Sequence, residues 1–493
     1  MTTSVFFTNL VWVLLLVNWI AQWNWREKFA GFGRNYLLQA FLVLLAVHLL
    51  WLFGTDNIAY ALYDLQKKLP LFCIPLVILT TAPPNSKEAL AIGMCYASTV
   101  LVVTIIGVVR FFTIEDLPYR QIVPYISHIR FGLNVCMTLV LFIWAAFKFR
   151  WRWVGLLGAV LSLWLVAFLM LIRSYTSFAI LLAYAVVLPL SYRHRMGKAL
   201  RNTTFACIAA SLLLVAGLCV HYCHDYYHLR PLSTGNPVAV TPNGNPYLHL
   251  DDGLIENGNY VHRYICQEEM RRQWNKRSTV SFDSVTSTGW PVYPTLLRYL
   301  NGIGVTKDSL GMTQLNESDI AAIEKGIANP VYLQAGPRKM IYVLCYELEN
   351  YRCFHSVRDF SVLQRIELWR NAFAVFLQHP FWGVGTGDVP DLCQSRLEAT
   401  GSVLAKTGMH THSQYLNFLL AFGIVGFTVI TTFFVRAIIR THSCRRILFT
   451  AFLCTVLISF ISEDTLETLA GITFTAFFFA ILSLRTHSDA QPT

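Results

Sequence analysis

The sequence predicts an all-α polytopic membrane protein with eleven or twelve transmembrane helices and one large, partly helical outer loop. Three observations lead there. The 493 residues are 55% hydrophobic and only 14% charged, against roughly 25% charged in soluble globular chains. Apolar runs of membrane-crossing length recur along the chain, and the basic residues collect in alternate loops between them. The formal net charge of +11 would by itself admit a nucleic-acid binder, since clustered Lys and Arg neutralise phosphates. The placement of the charges removes that reading: membrane lipids are the expected surroundings and no nucleic acid is expected as a partner.

A helix satisfies its own backbone hydrogen bonds in lipid and needs about 20 apolar residues to cross. Such runs lie at 4–23, 36–54, 69–82, 89–109, 131–147, 154–172, 178–192, 203–220, 414–435, 447–461 and 469–484. The first reads as a span, because Asn24-Trp25-Arg26-Glu27-Lys28 follows it where a secretory signal would carry a small-residue cleavage site. The run at 69–82 is the shortest.

Lys and Arg accumulate in cytoplasmic loops. Arg26, Lys28, Arg34, Lys87, Lys148, Arg150, Arg152, Arg193, Arg195, Lys198, Arg201, Arg436, Arg440, Arg445, Arg446 and Arg485 fall on one side, against only Glu27, Glu88 and Asp489. That side is cytoplasmic, so the N-terminus is outside and the C-terminus inside. The net charge is therefore an orientation signal. The predicted organisation is an N-terminal bundle of eight spans (1–220), an outer domain (221–413), and a C-terminal bundle of three spans with a short tail (414–493).

The outer domain holds most of the Asp and Glu. Gly235-Asn236-Pro237 and Thr241-Pro242-Asn243-Gly244-Asn245-Pro246 mark turns, and its first half reads as loop-rich. Two helices are expected in its second half. Ser318 would cap one bearing Ile320, Ile323 and Ile327; the other runs from Ser361 to Gln378 with Ile366, Trp369, Phe373 and Phe376 on one face, and Pro380 stops it. Cys223, Cys266, Cys345, Cys353 and Cys393 lie outside, where disulfides can form; their spacing matches no metal framework, and Cys345 with Cys353 is the expected pair.

The chemistry concentrates after Pro380. His379-Pro380-Phe381-Trp382-Gly383-Val384-Gly385-Thr386-Gly387-Asp388 is followed by His410-Thr411-His412-Ser413-Gln414-Tyr415-Leu416 and then Phe422-Gly423-Ile424-Val425-Gly426. A lone Gly-x-Gly-x-Gly is weak, and no βαβ context supports a dinucleotide site. The ordered combination of a Pro-x-x-Gly-x-Gly turn, a His shortly before an apolar helix with Leu four residues on, and a later Gly-x-x-Gly resembles the signature of the O-antigen ligase and O-antigen polymerase superfamily, in particular the type that joins surface polymer to lipid A-core. Ser127-His128-Ile129-Arg130-Phe131, Arg173-Ser174-Tyr175-Thr176-Ser177 and Gln364-Arg365-Ile366-Glu367-Leu368-Trp369 fit the same pattern. It departs at Ser413, where the family usually has Asn after the catalytic His.

The resemblance implies a multi-span glycosyltransferase of GT-C type in the bacterial inner membrane, working at the periplasmic face without a cofactor or metal ion. It takes a glycan from undecaprenyl pyrophosphate and, in the ligase branch, joins it to a sugar hydroxyl of lipid A-core during lipopolysaccharide synthesis. His412 then matches the general base, since an imidazole titrating near neutrality can take the proton of an acceptor hydroxyl; His410 is its near neighbour. Arg130 and Arg173 would stabilise the pyrophosphate, because a guanidinium fork matches two phosphate oxygens. Lys67, Lys68 and Arg365 are further substrate-binding candidates. Arg130, Arg173, Lys67 and Lys68 share a position on the outer face, where basic residues are less frequent; each could otherwise snorkel or pair with a neighbour such as Asp64. Gly383 and Gly385 would let backbone amides approach a sugar or phosphate, or simply form a tight turn. Glu463, Asp464 and Glu467 crowd the last outer loop, where they bind acceptor hydroxyls or counter the Arg cluster. No His-Glu-x-x-His and no supported Asp-x-Asp occurs in the outer loop.

The nearest rival readings are an O-antigen polymerase or a protein O-oligosaccharyltransferase of the same superfamily, which differ in acceptor. The single large outer loop favours the ligase. A lipid-linked glycan transporter or flippase also uses many spans and intramembrane charge, but no matched half-structures with paired Gly/Pro interruptions are found.

Overall fold

The computed structural model describes residues 5–30, 32–114, 117–149, 151–334, 336–357, 360–408 and 410–484. Arg150 and Arg485, two of the basic residues used for orientation, lie outside the described residues. All eleven apolar runs fall on helices: Val5–Ala21, Tyr36–Leu50, Ile58–Thr80, Ser86–Thr113, His128–Phe149, Arg152–Leu171, Tyr175–Tyr192, Lys198–Tyr227, Gln414–Thr441, Ile447–Ser462 and Leu469–Ser483. Polar caps set several starts. The side chains of Asn35 and Asn57 accept the amides of Leu38 and Tyr60, Asn85 forms a capping box with Glu88, and Ser174 accepts the Ser177 amide.

Among the described residues, seven helices are long and apolar enough to cross a membrane, or eight if Phe6–Ala21 and Trp25–Arg34 form one bent span. Ile447–Ser462 and Leu469–Ser483 are apolar but only 16 and 15 residues long. At ~1.5 Å per residue they reach about 24 and 22 Å, short of the ~30 Å hydrocarbon layer. Ile58–Thr80 has the length, with 23 residues, but carries Asp64, Lys67 and Lys68. The chain is thus an all-α, multi-pass membrane protein, and Ile58–Thr80, Ile447–Ser462 and Leu469–Ser483 all bear on the candidate site described below.

The chain forms two compact units, residues 1–205 with 367–493 and residues 206–366. In the first, helices cannot rely on a hydrophobic drive in lipid and associate through packing and buried polar contacts. Phenylalanines pack edge-to-face at its centre: Phe41 lies 5.2 Å from Phe434 between ring centroids, and Phe434 lies 5.3 Å from Phe479. Small residues allow one close crossing, since a Cβ on Gly132 would fall 2.1 Å from Ser177 Oγ. Tyr184 shares a hydrogen bond with Thr455, linking Tyr175–Tyr192 to Ile447–Ser462.

The second unit has its own core, with Trp274, Phe282, Leu296, Tyr299, Leu300, Met312 and Ile323 buried together. Its first half is less loop-rich than expected, holding helices Gln267–Arg277 and Val292–Ile303, and Pro337–Phe354 is a further helix the pattern did not reveal. The helix expected around Ile320 spans Glu317–Glu324. Asn316 caps it in place of Ser318, using Asp319 for a capping box, and Ile327 falls beyond its end after the left-handed Gly326. Ser361–Phe376 ends two residues before the expected limit. The expected Cys345–Cys353 pair is excluded. Both sit on Pro337–Phe354, eight residues apart, which separates them by ~12 Å along the axis, beyond the ~7 Å Cα limit for a disulfide.

Candidate active site

The site begins with a short acidic loop, residues 463–468, between Ile447–Ser462 and Leu469–Ser483. Glu463 and Asp464 are buried there. Two contacts fold the loop back: Ser459 and Thr465 share a hydrogen bond at 3.0 Å, and Gly471 leaves room for the Thr465 carbonyl, which a Cβ would meet at 2.0 Å. Gln414, fully buried at the start of its helix, pins the loop from the other side. Its side-chain oxygen accepts the Leu466 amide at 2.7 Å, its amide nitrogen donates to Glu467 at 3.3 Å, and its backbone N–H reaches the Glu463 carbonyl at 3.2 Å. Ser413 Oγ donates to the Phe460 carbonyl at 3.2 Å, so the hydroxyl that replaces the usual amide ties this helix start to the end of Ile447–Ser462.

This bracing sets His412 beside the loop. One ring nitrogen of His412 and one carboxylate oxygen each from Glu463 and Asp464 all lie within 4.8 Å of one another. His412 has a left-handed backbone, φ 50°, as does Arg173, also φ 50°. Such conformations are uncommon outside glycine and collect at functional positions. Arg130, in the first turn of His128–Phe149, donates to Asp464 at 3.1 Å. Arg173 is exposed, with its guanidinium 5.6 Å from the Tyr119 ring; Tyr119 in turn meets His128 edge-on at 5.5 Å.

Lys67 and Lys68 enter the same cluster from Ile58–Thr80, and both are paired. Lys68 lies 2.7 Å from Asp64 and 3.0 Å from Glu467; Lys67 lies 3.6 and 3.7 Å from the same two carboxylates. Burial alone would push the Glu467 carboxyl up, but Lys68 and Lys67 beside it outweigh burial and hold it below the usual carboxylate range. His410 lines a cleft of about 30 Å³ with Tyr60, Asp64, Lys68, Thr386 and Glu467. That is room for a water-sized group and too little for a sugar ring.

Gly383 and Gly385 serve the same bracing. The Gln414–Thr441 helix breaks at Gly423, φ 61° and ψ −172°. The carbonyls freed by the break accept from the turn, Leu420 from the Val384 amide at 2.8 Å and Ala421 from the Gly385 amide at 2.9 Å. The freed amides of Ile424 and Val425 donate to the Pro380 and Phe381 carbonyls at 2.8 and 3.1 Å. A Cβ on Gly383 would lie 2.5 Å from Leu420 O, and one on Gly423 2.2 Å from Phe381 O. Asp388, after the turn, accepts the amides of Asp56 and Asn57 at 2.9 and 2.8 Å, which docks it on the start of Ile58–Thr80.

His412, Arg130, Glu463 and Asp464 therefore form one group and Lys67, Lys68, Asp64 and Glu467 a second, and Gln414 links the two through Glu467 and the Glu463 carbonyl; Arg173 stands beside Tyr119, which meets His128. Arg365 lies in the stretch counted with the second unit. Sequence reasoning passed over Gln414, Asp388 and His48, a buried imidazole in the Tyr36–Leu50 helix packed on Phe422 at 4.8 Å. A polar residue at the first turn of an apolar helix was the available signal for Gln414.

Residues 326–431 match the family model described as O-antigen ligase. This stretch belongs to the O-antigen ligase family. It contains the glycine turn, His410, His412 and the helix break, while the cationic residues from the N-terminal helices and the acidic loop lie outside it. The match supports a glycosyltransferase activity of the O-antigen ligase or polymerase kind, acting on lipid-linked glycan and acceptor substrates in general. No curated protein matches the chain.

Proposed function

We propose that this chain is an O-antigen ligase of the inner membrane, moving a polysaccharide from undecaprenyl pyrophosphate to a sugar hydroxyl of lipid A-core on the periplasmic face. In this reading 221–413 is periplasmic and lies between the bundle segments 1–220 and 414–493. The observation that carries it is the meeting of His412, Glu463, Asp464 and Arg130 on helix ends that the charge pattern assigns to the outer side.

His412 accepts the proton of the acceptor hydroxyl as its oxygen attacks the anomeric carbon and the bond to the pyrophosphate oxygen breaks. The neighbouring carboxylates stabilise the imidazolium that forms, and a positioned base of this kind contributes roughly 10²–10⁴-fold. Arg173, exposed beside Tyr119, and Arg130 receive the charge that develops on the departing pyrophosphate. Arg365 contributes to substrate binding from the amphipathic helix. Lys67 and Lys68 act mainly by holding Glu467 and Asp64, and Gly383 and Gly385 by holding the helix break. His412, Glu463 and Asp464 also form a donor set that fits a divalent cation. Because Arg130 already neutralises Asp464, the reading keeps a metal-independent step, which predicts full activity in chelator.

The test in cells is His412→Ala in the native organism, with the surface glycolipid ladder as readout. The ligase reading expects bare lipid A-core with long lipid-linked glycan retained. Single repeats attached to core would mark a polymerase, and an unchanged ladder would remove His412 from the chemistry.

A further inference from the structure

The second unit holds a pair of thiols that the proposed transfer reaction does not use. Cys223 lies near the end of Lys198–Tyr227, and Cys345 lies on Pro337–Phe354. Their sulfurs are 3.9 Å apart. The pair sits inside a built contact between the two helices. Asp225 accepts from Arg338 Nη2 at 2.9 Å and from the Tyr342 hydroxyl, and Tyr226 meets Tyr342 edge-on at 5.3 Å. Tyr226, Tyr342 and Cys345 are buried together, with Cys223 packed against them. Cys345 follows Tyr342 by one helical turn, so the contacts that clamp the helices also hold the thiols together. The two sulfurs must close by about 2 Å to reach the ~2.05 Å of a disulfide.

We propose that Cys223 and Cys345 form a disulfide that locks the end of the last N-terminal span to the Pro337–Phe354 helix. The proposal rests on the reading of residues 221–413 as facing the periplasm, an oxidising compartment. The oxidant is a thiol–disulfide exchange protein of that compartment. Cys223, half-buried, is the more accessible thiol; its thiolate attacks a sulfur of the oxidant's disulfide, forming a mixed disulfide and releasing one oxidant thiolate. The Cys345 thiolate then attacks the Cys223 sulfur and expels the second oxidant thiolate. Two electrons pass to the oxidant, whose thiolates take up the two protons the chain gives up. The bond closes a long segment of chain, the case in which cross-linking constrains the unfolded state most.

The test is peptide mapping of the full chain, extracted from membranes in detergent with N-ethylmaleimide present from lysis onward and digested without reductant. The expected product is a Cys223–Cys345 linked peptide pair about 2 Da below the sum of its parts, as loss of two hydrogens requires, split by reductant. Reduction should also lower the thermal midpoint of the detergent-solubilised protein. Alkyl groups on both Cys223 and Cys345 after denaturation in the reagent, or a bond from either to Cys353, would overturn the proposal. A parallel Asn243→Cys variant, at an exposed turn, separates the two ways of failing. If a membrane-impermeant maleimide labels it in intact spheroplasts while Cys223 and Cys345 are free, the disulfide alone is wrong. If only a permeant maleimide labels it, the periplasmic assignment is wrong and the disulfide falls with it.

Discussion

Lys68 illustrates how the charges of this site hold one another. It is buried between Asp64 and Glu467, and removing one member of such a group leaves uncompensated charge, which costs about 3–5 kcal/mol. Lys68→Met should therefore lower the thermal midpoint sharply, whereas Lys68→Met with Glu467→Gln should recover much of the loss; equal loss in both variants would show that the carboxylates do not depend on Lys68. The second unit carries two titrating groups of a different kind. Burial pushes Lys307 down to about 7, against the pull of Glu256, while its amine donates to Asn301 Oδ1 at 2.9 Å. Burial lifts Glu347 to about 7, against a backbone hydrogen bond from Val362. For Lys307 the folded state releases its proton first, so stability rises with pH from about 7 to the unfolded value near 10.5; for Glu347 the folded state binds its proton first, so stability falls as pH rises from about 4.5 to 7. Local stability of residues 206–366 should thus pass through a minimum near neutrality. Amide exchange in the full chain, corrected for intrinsic rates, measures it. Lys307→Met should flatten the alkaline limb and Glu347→Gln the acid limb; unchanged limbs would contradict the assignment.

At the scale of elements, the broken Gln414–Thr441 helix and the turn at 383–388 form one device, each satisfying backbone groups the other leaves open. Gly423→Ala places a Cβ against the Phe381 carbonyl at a left-handed backbone position, so it should unseat the turn and lower both folded yield and thermal midpoint. Gly401→Ala, at another left-handed glycine but with no atom within 4 Å of the added carbon, should carry only the backbone strain. Equal effects of the two variants would remove the packing argument. The apolar runs were legible because lipid demands them, and all eleven fell on helices. The glycines were legible as special positions, but their partner was not, since nothing local in Gly383 or Gly385 names Leu420 and Ala421. The helices Gln267–Arg277 and Val292–Ile303 are masked in the sequence because their turn-rich flanks outweigh short apolar stripes, and both Asn316 and Ser318 are residue types that cap helices, the capping box with Asp319 deciding for Asn316. At the site, the types His, Arg and Lys were readable from chain position, and Asp64 was foreseeable as a partner for lysine. The pairing of Lys67 and Lys68 with Glu467 was not, because it joins helices some 400 residues apart in sequence.

At the scale of the whole molecule, the proposed topology puts the excess of basic residues on the cytoplasmic side and the charge cluster of the site on the opposite one. Lys67 and Lys68 pair with Asp64 and Glu467 and Arg130 pairs with Asp464, so an incoming pyrophosphate would have to draw a cation away from its carboxylate or use the exposed Arg173 beside Tyr119. That makes Arg173 the cation whose loss should reduce transfer most without harming the fold. The central claim is that His412 serves as the base for glycan transfer at this cluster. The direct measurement is transfer by the purified full chain in proteoliposomes supplied with undecaprenyl-pyrophosphate-linked glycan and lipid A-core, in the presence of chelator, for the unaltered chain and for His412→Ala. The account predicts transfer by the unaltered chain and a loss of roughly 10²-fold or more in the variant, with the same thermal midpoint for both. Transfer by His412→Ala at the unaltered rate would contradict it, as would activity that chelator abolishes and a single added divalent cation restores.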